Sequence, residues 1–420
     1  MSRETEKQTA ITYLDWAATA PLSQSACDAM MPYLTSGVEG LCKGAGNANS
    51  LYEVGRVAFR ALEQARETIA RGIGARPDEI IFTSGATEAD NAALFGIVDA
   101  CMMKAEQSGD HECVPQIVVS SIEHEAILEA AEVLGRWGAQ VTYVEPDTSG
   151  HITPEALQSV LTNRVMLVSI MAVNNEVGSV MDIPALARIA HEAGALFHVD
   201  ATQALGKVPL SVKQWGVDAL SLSSHKIGGP KGMGALFLKA RTPFTAQIVG
   251  GGQESGNRSG TQNVMGAVGF AAACQASLAN LETQTERLRE LRDECYARFA
   301  RYDKVKATVA VEKGSLTYAP HIVHVLVSGV ESETLIMQLD RRGICVSGGS
   351  ACASHDLDPS HVLKALGVSR DEALGALRLS FGNDTTVQDI EKFFAAFDEV
   401  IEKYAINARE ALFGGISKST

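Results

Sequence analysis

The chain has 420 residues, 46% of them hydrophobic and 20% charged, a composition that suits a soluble globular protein large enough for two domains. A formal net charge of −14 excludes a protein-wide basic footprint for nucleic acid and leaves room only for a local basic docking patch. No apolar run reaches membrane-span length, and Met1-Ser2-Arg3-Glu4-Thr5-Glu6-Lys7 holds no signal core, so a cytoplasmic protein with no membrane partner is expected.

In chain order, Gly55 to Ile73 carries helical periodicity through Val57, Leu62, Ala65 and Ile69. Glu79 to Thr83 reads as a short strand. The Ser84-Gly85-Ala86-Thr87-Glu88 segment behind it reads as a small-residue turn opening a helix. Free N–H groups and the dipole at such a helix start favour a phosphate, although the same residues also make an ordinary cap. Residues 101–115 read as a polar helix end and surface loop. Strands follow at Gln116 to Ser120, Gln140 to Val144 and Val165 to Met171, with a helix from Ala126 to Trp137.

Ala195-Leu196-Phe197-His198-Val199-Asp200 is an apolar strand that ends in a carboxylate, and Asp218 to Ser223 is a strand followed at once by Ser224-His225-Lys226-Ile227-Gly228-Gly229. Lysines leaving strands are usually solvated. Here a phosphate cradle, an acid and a lysine come in this order, each at a strand end. Pyridoxal phosphate needs a lysine for its aldehyde and an acid for its pyridine nitrogen, so the combination points to that cofactor. Alternating strands and helices predict a mostly parallel, doubly wound sheet with ligands at the strand C-termini.

Leu281 to Asp303 breaks the rhythm as a long amphipathic helix bridging two domains. Strands at Ala319 to Val327, Ile344 to Ser347 and Ala376 to Phe381, with helices at Thr334 to Arg342 and Thr386 to Tyr404, predict an α+β domain. The tail, Gly414 to Thr420, is expected to fray. The eight cysteines form no Cys-x-x-Cys pair or zinc ladder and are expected as free thiols. Cys345 lies in an apolar strand and is expected to be buried and inert. Cys352 lies among small residues, from Val346 to His355, that cannot pack a core; an exposed, mobile thiol is expected there.

With these segments in view, the chain resembles the NifS/IscS group of cysteine desulfurases, within the class V aminotransferase family. The similarity runs from Tyr13-Leu14-Asp15-Trp16-Ala17-Ala18-Thr19 to Arg378-Leu379-Ser380-Phe381-Gly382. It includes Ser84-Gly85-Ala86-Thr87-Glu88, Asn174-Asn175-Glu176-Val177-Gly178, His198-Val199-Asp200-Ala201-Thr202-Gln203, Ser224-His225-Lys226, Arg258-Ser259-Gly260-Thr261 and Ser350-Ala351-Cys352. The turn from Ser347 to Cys352 looks like the group with a long, mobile cysteine loop. The resemblance implies the pyridoxal-phosphate fold type I: a mostly parallel seven-stranded sheet flanked by helices, over 27–281, and a smaller α+β domain, over 1–26 and 282–420, carrying a cysteine loop at about 347–356.

The same resemblance implies roles. Lys226 would hold the cofactor aldehyde and shuttle protons, Asp200 would face the pyridine nitrogen, Gln203 the ring oxygen, and His124 would stack on the ring. Ala86, Thr87, Ser223 and His225 would hold the phosphate, with Thr261 arriving from the neighbouring subunit of a homodimer. Asn175 would lie near ring and substrate, Arg378 would bind the substrate carboxylate, and Cys352 would take sulfur from L-cysteine as a persulfide for an acceptor protein. That acceptor would be an iron–sulfur assembly scaffold or a sulfur carrier. The residues alone also allow His124 as a capping, half-buried histidine, Arg378 as a structural ion pair, Asn175 as a turn residue and Lys231 as a solvated lysine. Tyr52 and Ser255 depart from the pattern, where a histidine and an arginine are frequent. An aminotransferase or selenocysteine lyase on the same fold, and a catalytically idle assembly scaffold, are the competing functions.

Overall fold

The computed structural model describes residues 11–349 and 360–413. Cys352, most of the expected cysteine loop and the tail from Gly414 lie outside the described residues.

The elements, in chain order, are β1 (Thr12–Tyr13), α1 (Gln24–Met30), α2 (Glu53–Ile73), β2 (Ile80–Thr83), α3 (Ala86–Gln107), β3 (Gln116–Ser120), α4 (Glu125–Arg136), β4 (Gln140–Val144), β5 (Val165–Ser169), α5 (Ile183–Glu192), β6 (Leu196–Asp200), β7 (Ala219–Ser223) and β8 (Gly234–Leu238). Strands β2 to β8 form one seven-stranded sheet in the order β2-β8-β7-β6-β5-β3-β4. It is parallel from β7 through β4, and β8 runs antiparallel to both β2 and β7. Helices cover both faces, so alternate side chains of one strand enter different cores. Ile80 and Phe82 join the core of α2 and α5, whereas Ile81 joins that of α3 and α4.

The chain continues through α6 (Val264–Ala279), α7 (Leu281–Phe299), β9 (Val305–Ala307), β10 (Ile322–Val327), α8 (Ser332–Asp340), β11 (Ile344–Cys345), β12 (Ala376–Ser380) and α9 (Val387–Phe413). Strands β12-β10-β9 form an antiparallel sheet with its own core, in which Phe299 of α7 packs 5.0–5.9 Å from the rings of Phe393, Phe394 and Phe397. Leu14 reaches this core from the N-terminal segment, next to β1, which pairs in parallel with β11. No single helix among the described residues is long and apolar enough to cross a membrane.

Two expectations are revised. Strand β5 stops at Ser169 because the N–H of Met171 leaves the ladder and donates to Glu123 Oε1 at 2.7 Å. Cys345 is half-buried, since β11 is two residues long and pairs only with β1. Its thiol is still pushed up, by burial first and then by Asp340 and Asp15.

Candidate active site

The C-terminal ends of β2, β6 and β7 open on a cavity of ≈540 Å³. Ala86, Thr87, His124, Asn175, Asp200, Gln203, Ser223, His225, Lys226 and Arg378 all line it, ten residues drawn from segments far apart in the chain. Thr261 does not. It is exposed and lines a separate pocket of ≈140 Å³ beside Ser84, Gly232 and Met233. Cys352 lies outside the described residues; the chain leading toward it lines the cavity at Gly349.

Lys226 stands on a single 3₁₀ turn, Ser224–Ile227, that ends β7 and closes on Gly228 in the left-handed region. Its Nζ donates to the carbonyls of Ala17 at 2.7 Å and Ala18 at 2.9 Å. Gln203 Nε2 donates to the same Ala17 oxygen at 2.9 Å, so one N-terminal carbonyl positions two site residues. His225 Nδ1 lies 3.0 Å from Thr19 Oγ1. Burial, then the charges of Lys226 and Lys231, lower His225 to about 4, which keeps the imidazole neutral near pH 7.

At another wall α3 begins. The N–H groups of its first turn, Ala86 and Thr87 among them, have no intrahelical acceptor and carry the positive end of a 22-residue helix dipole. The turn is braced from both sides. Glu88 accepts from Ser84 N at 2.9 Å and from Arg258 Nε at 2.9 Å; burial pulls Glu88 up, but those partners outweigh it and hold its carboxyl low. Gly234 of β8 lies underneath, in register with both Thr83 and Ser223.

Asp200 is 5% exposed and accepts from Thr202 N at 2.8 Å. Behind it lie acids that the sequence did not single out. Asp90, from the first turns of α3, is 1% exposed and is raised well above the carboxylate range, chiefly by burial and then by Asp200. Glu123 is fully buried and raised to about 8, again by burial foremost, even though Ser120 Oγ and Met171 N donate to it. His198 is fixed between Ser169 Oγ at 2.8 Å and Ser221 Oγ at 3.0 Å, and burial drops it to about 3. Glu123 follows a buried strand and Asp90 sits on α3, and neither position carries a local signal that its carboxyl is buried.

His124 is both a cap and a lining residue. It is the N-cap of α4, accepting from Ala126 N through Nδ1 at 3.1 Å, and the ring also faces the cavity. Arg378 likewise forms an ion pair, with Asp15 Oδ1 at 2.9 Å, and donates to the carbonyls of Asn175 and Gly349 at 2.7 Å each. Its Nε remains buried without an acceptor among the described residues. Lys231 is exposed at the rim. Tyr52 is 64% exposed, and Ser255 takes φ 56° on the surface, so neither departure enters the cavity.

The donor set fits pyridoxal phosphate: a lysine amine, a buried carboxylate, a helix N-terminus with unpaired N–H groups, and the Thr202 hydroxyl, which lines the cavity with no partner among the described residues. A cluster of His, Cys, Asp or Glu able to hold a metal is not found among the described residues.

The class-V aminotransferase family model matches residues 12–393. A relative named cysteine desulfurase IscS, from Dictyoglomus turgidum, is 39% identical over 93% of this chain and 94% of its own length. A solved NifS-like protein superposes with a TM-score of 0.83 at 32% identity, over 93% of this chain and 99% of that one. A structure of SspA in complex with cysteine does so with a TM-score of 0.72 at 30% identity, over 88% and 98%.

Proposed function

The chain belongs to the class-V aminotransferase family, among its cysteine desulfurases, and from that premise we propose that it takes sulfur from L-cysteine, releases L-alanine and passes the sulfur to an acceptor protein. The observation that carries this reading is the convergence of Lys226, Asp200, His124, the α3 N-terminus and Arg378 on one cavity. Pyridoxal phosphate, when bound, supplies the electron sink that makes the α-proton of the substrate removable. Lys226 holds its aldehyde, and the same Nζ is the base that moves the proton at the substrate α-carbon. Asp200 would pair with the ring nitrogen, Gln203 with the ring oxygen, and His124 would cover the ring. Ala86, Thr87, Ser223 and His225 hold the phosphate; neutral His225 does so as a hydrogen-bonding partner and not as a charge.

Asn175 and Arg378 orient the substrate, Arg378 through the fork that already holds Asn175's carbonyl. The thiolate of Cys352 then attacks the substrate sulfur. The C–S bond breaks as the new S–S bond forms, its electron pair passing to the substrate Cβ, which takes up a proton on the way to L-alanine; the persulfide stays on Cys352 for an iron–sulfur scaffold or sulfur carrier. The working unit is a homodimer in which Thr261 completes the neighbouring site. Met31, Leu34, Val38, Leu41, Leu51 and Phe59 support this, since all are large exposed apolar side chains within one N-terminal stretch. The described cysteines are free thiols, which supports a reducing, cytoplasmic setting.

Alanine release from L-cysteine, with a reductant as sulfur acceptor, tests the reading. Wild type should form alanine, and Cys352→Ser should lose this activity by about a hundredfold or more. Equal rates in the two would remove Cys352 as the nucleophile, and no alanine from wild type even with added carrier protein would remove the desulfurase reading.

A further inference from the structure

Lys207 is 7% exposed and has neither an ion pair nor a hydrogen-bonded side-chain acceptor among the described residues. A buried ammonium in that condition is costly unless something compensates it. It lines a second cleft, of ≈820 Å³, between the α6–α7 junction and the segment after β6. Arg289 of α7 enters the same cleft, also with no acidic partner among the described residues. Glu282 is the acid on this rim, and it is exposed. Burial, then the nearby charge of Arg287, lowers Lys207 to about 8, so the amine is still mostly protonated near neutral pH. The remaining wall is largely apolar, with Val180, Met181, Val208, Trp215 and Leu278. None of these groups lines the cavity that holds Lys226.

Two cations without an acidic partner among the described residues, facing an apolar wall, suit a ligand with an anionic head and a hydrocarbon body. We propose that this cleft binds a small amphipathic carboxylate, its anion between Lys207 and Arg289 and its apolar part against Trp215 and Met181. The cleft backs onto the candidate active site: His321, depressed by burial and next by Lys207, lies with Nε2 3.3 Å from Gln203 Oε1.

Calorimetric titration of the cofactor-loaded protein with sodium hexanoate tests this, with saturating L-alanine present to occupy the substrate site. Expected is saturable binding at one site per chain that weakens about tenfold or more in Lys207→Met and separately in Arg289→Gln. Hexan-1-ol, which lacks the charge, and inorganic phosphate, which lacks the body, should each bind at least about tenfold more weakly than hexanoate. The proposal is overturned by no saturable binding into the millimolar range, by hexanoate affinity unchanged in both variants, or by hexan-1-ol or phosphate binding as tightly as hexanoate. If Lys207→Met fails to fold, Arg289→Gln decides alone, because that side chain is half-exposed.

Discussion

Arg378 carries its charge in nearly dry surroundings, 2% exposed at the side chain, against Asp15 and two backbone carbonyls. A buried guanidinium in such a frame is rigid before any substrate arrives, and its Nε still has a proton to donate. The two readings of this residue, ion pair and carboxylate binder, are therefore compatible in one arrangement: Asp15 aims the fork, and under the proposed function the substrate carboxylate would meet it. Lysine keeps the charge and loses the plane. Arg378→Lys should raise KM for L-cysteine about tenfold or more while cofactor content, followed by visible absorbance, stays at the wild-type level. A variant that loses cofactor and substrate affinity together would mean that Arg378 only braces the fold.

Among the elements, the turn between β2 and α3 depends on the strand beneath it. A Cβ on Gly234 would stand 2.6 Å from both Gly85 C and Leu222 O, and neither backbone atom can move without displacing the phosphate turn or the end of β7. Gly234→Ala should cost about 1–3 kcal/mol in urea denaturation and lower cofactor retention after dialysis. Unchanged retention would separate the turn from the phosphate. Strand β8 was not legible as a strand: Gly234 to Leu238, with Met233 before it and Lys239 after it, is a short apolar run without a β-branched residue, which periodicity does not tell from a helix segment. Helix α6 escaped for the opposite reason, being apolar all round and so without a stripe. Strands β3 and β6 were legible nearly to the residue because β-branched and aromatic residues run up to a polar end, Ser120 and Asp200, and β4 because Val141 and Tyr143 alternate with Gln140 and Thr142. In the site, Lys226 and Asp200 showed themselves by ending strands. Asp90 and Glu123 did not, because a carboxyl kept neutral is made by tertiary burial, which local sequence does not encode.

Across the whole molecule, two sets of buried groups oppose each other in pH. His198 and His324 are lowered to about 3, His225 to about 4 and His321 well below its ordinary value, each chiefly by burial. The unfolded chain takes up these protons below about pH 6.5 and the fold does not, so stability is lost as pH falls from there. Asp90, Glu123 and Glu176 are raised, with burial the leading cause, and Glu123 reaches about 8. The fold keeps protons on these acids that the unfolded chain gives up above about pH 4, so stability is lost as pH rises toward 8. Four histidines outweigh three acids between about pH 4 and 6.5, and above it the raised acids lead until pH nears 8, where Lys207, lowered to about 8 chiefly by burial, begins to oppose them; each unmatched proton contributes at most about 1.4 kcal/mol per pH unit. The cofactor-free protein should therefore be most stable near pH 6.5 in urea denaturation at constant protein concentration. Asp200 contributes to the elevation of Asp90 and Glu123, and a cationic ring nitrogen beside Asp200 would relieve both. Loading the cofactor should then shift the optimum to higher pH. A cofactor-free profile that keeps rising from pH 6.5 to 8 would mean that Asp90 and Glu123 are ionised in the fold, and the neutral acids behind Asp200 would have to be abandoned.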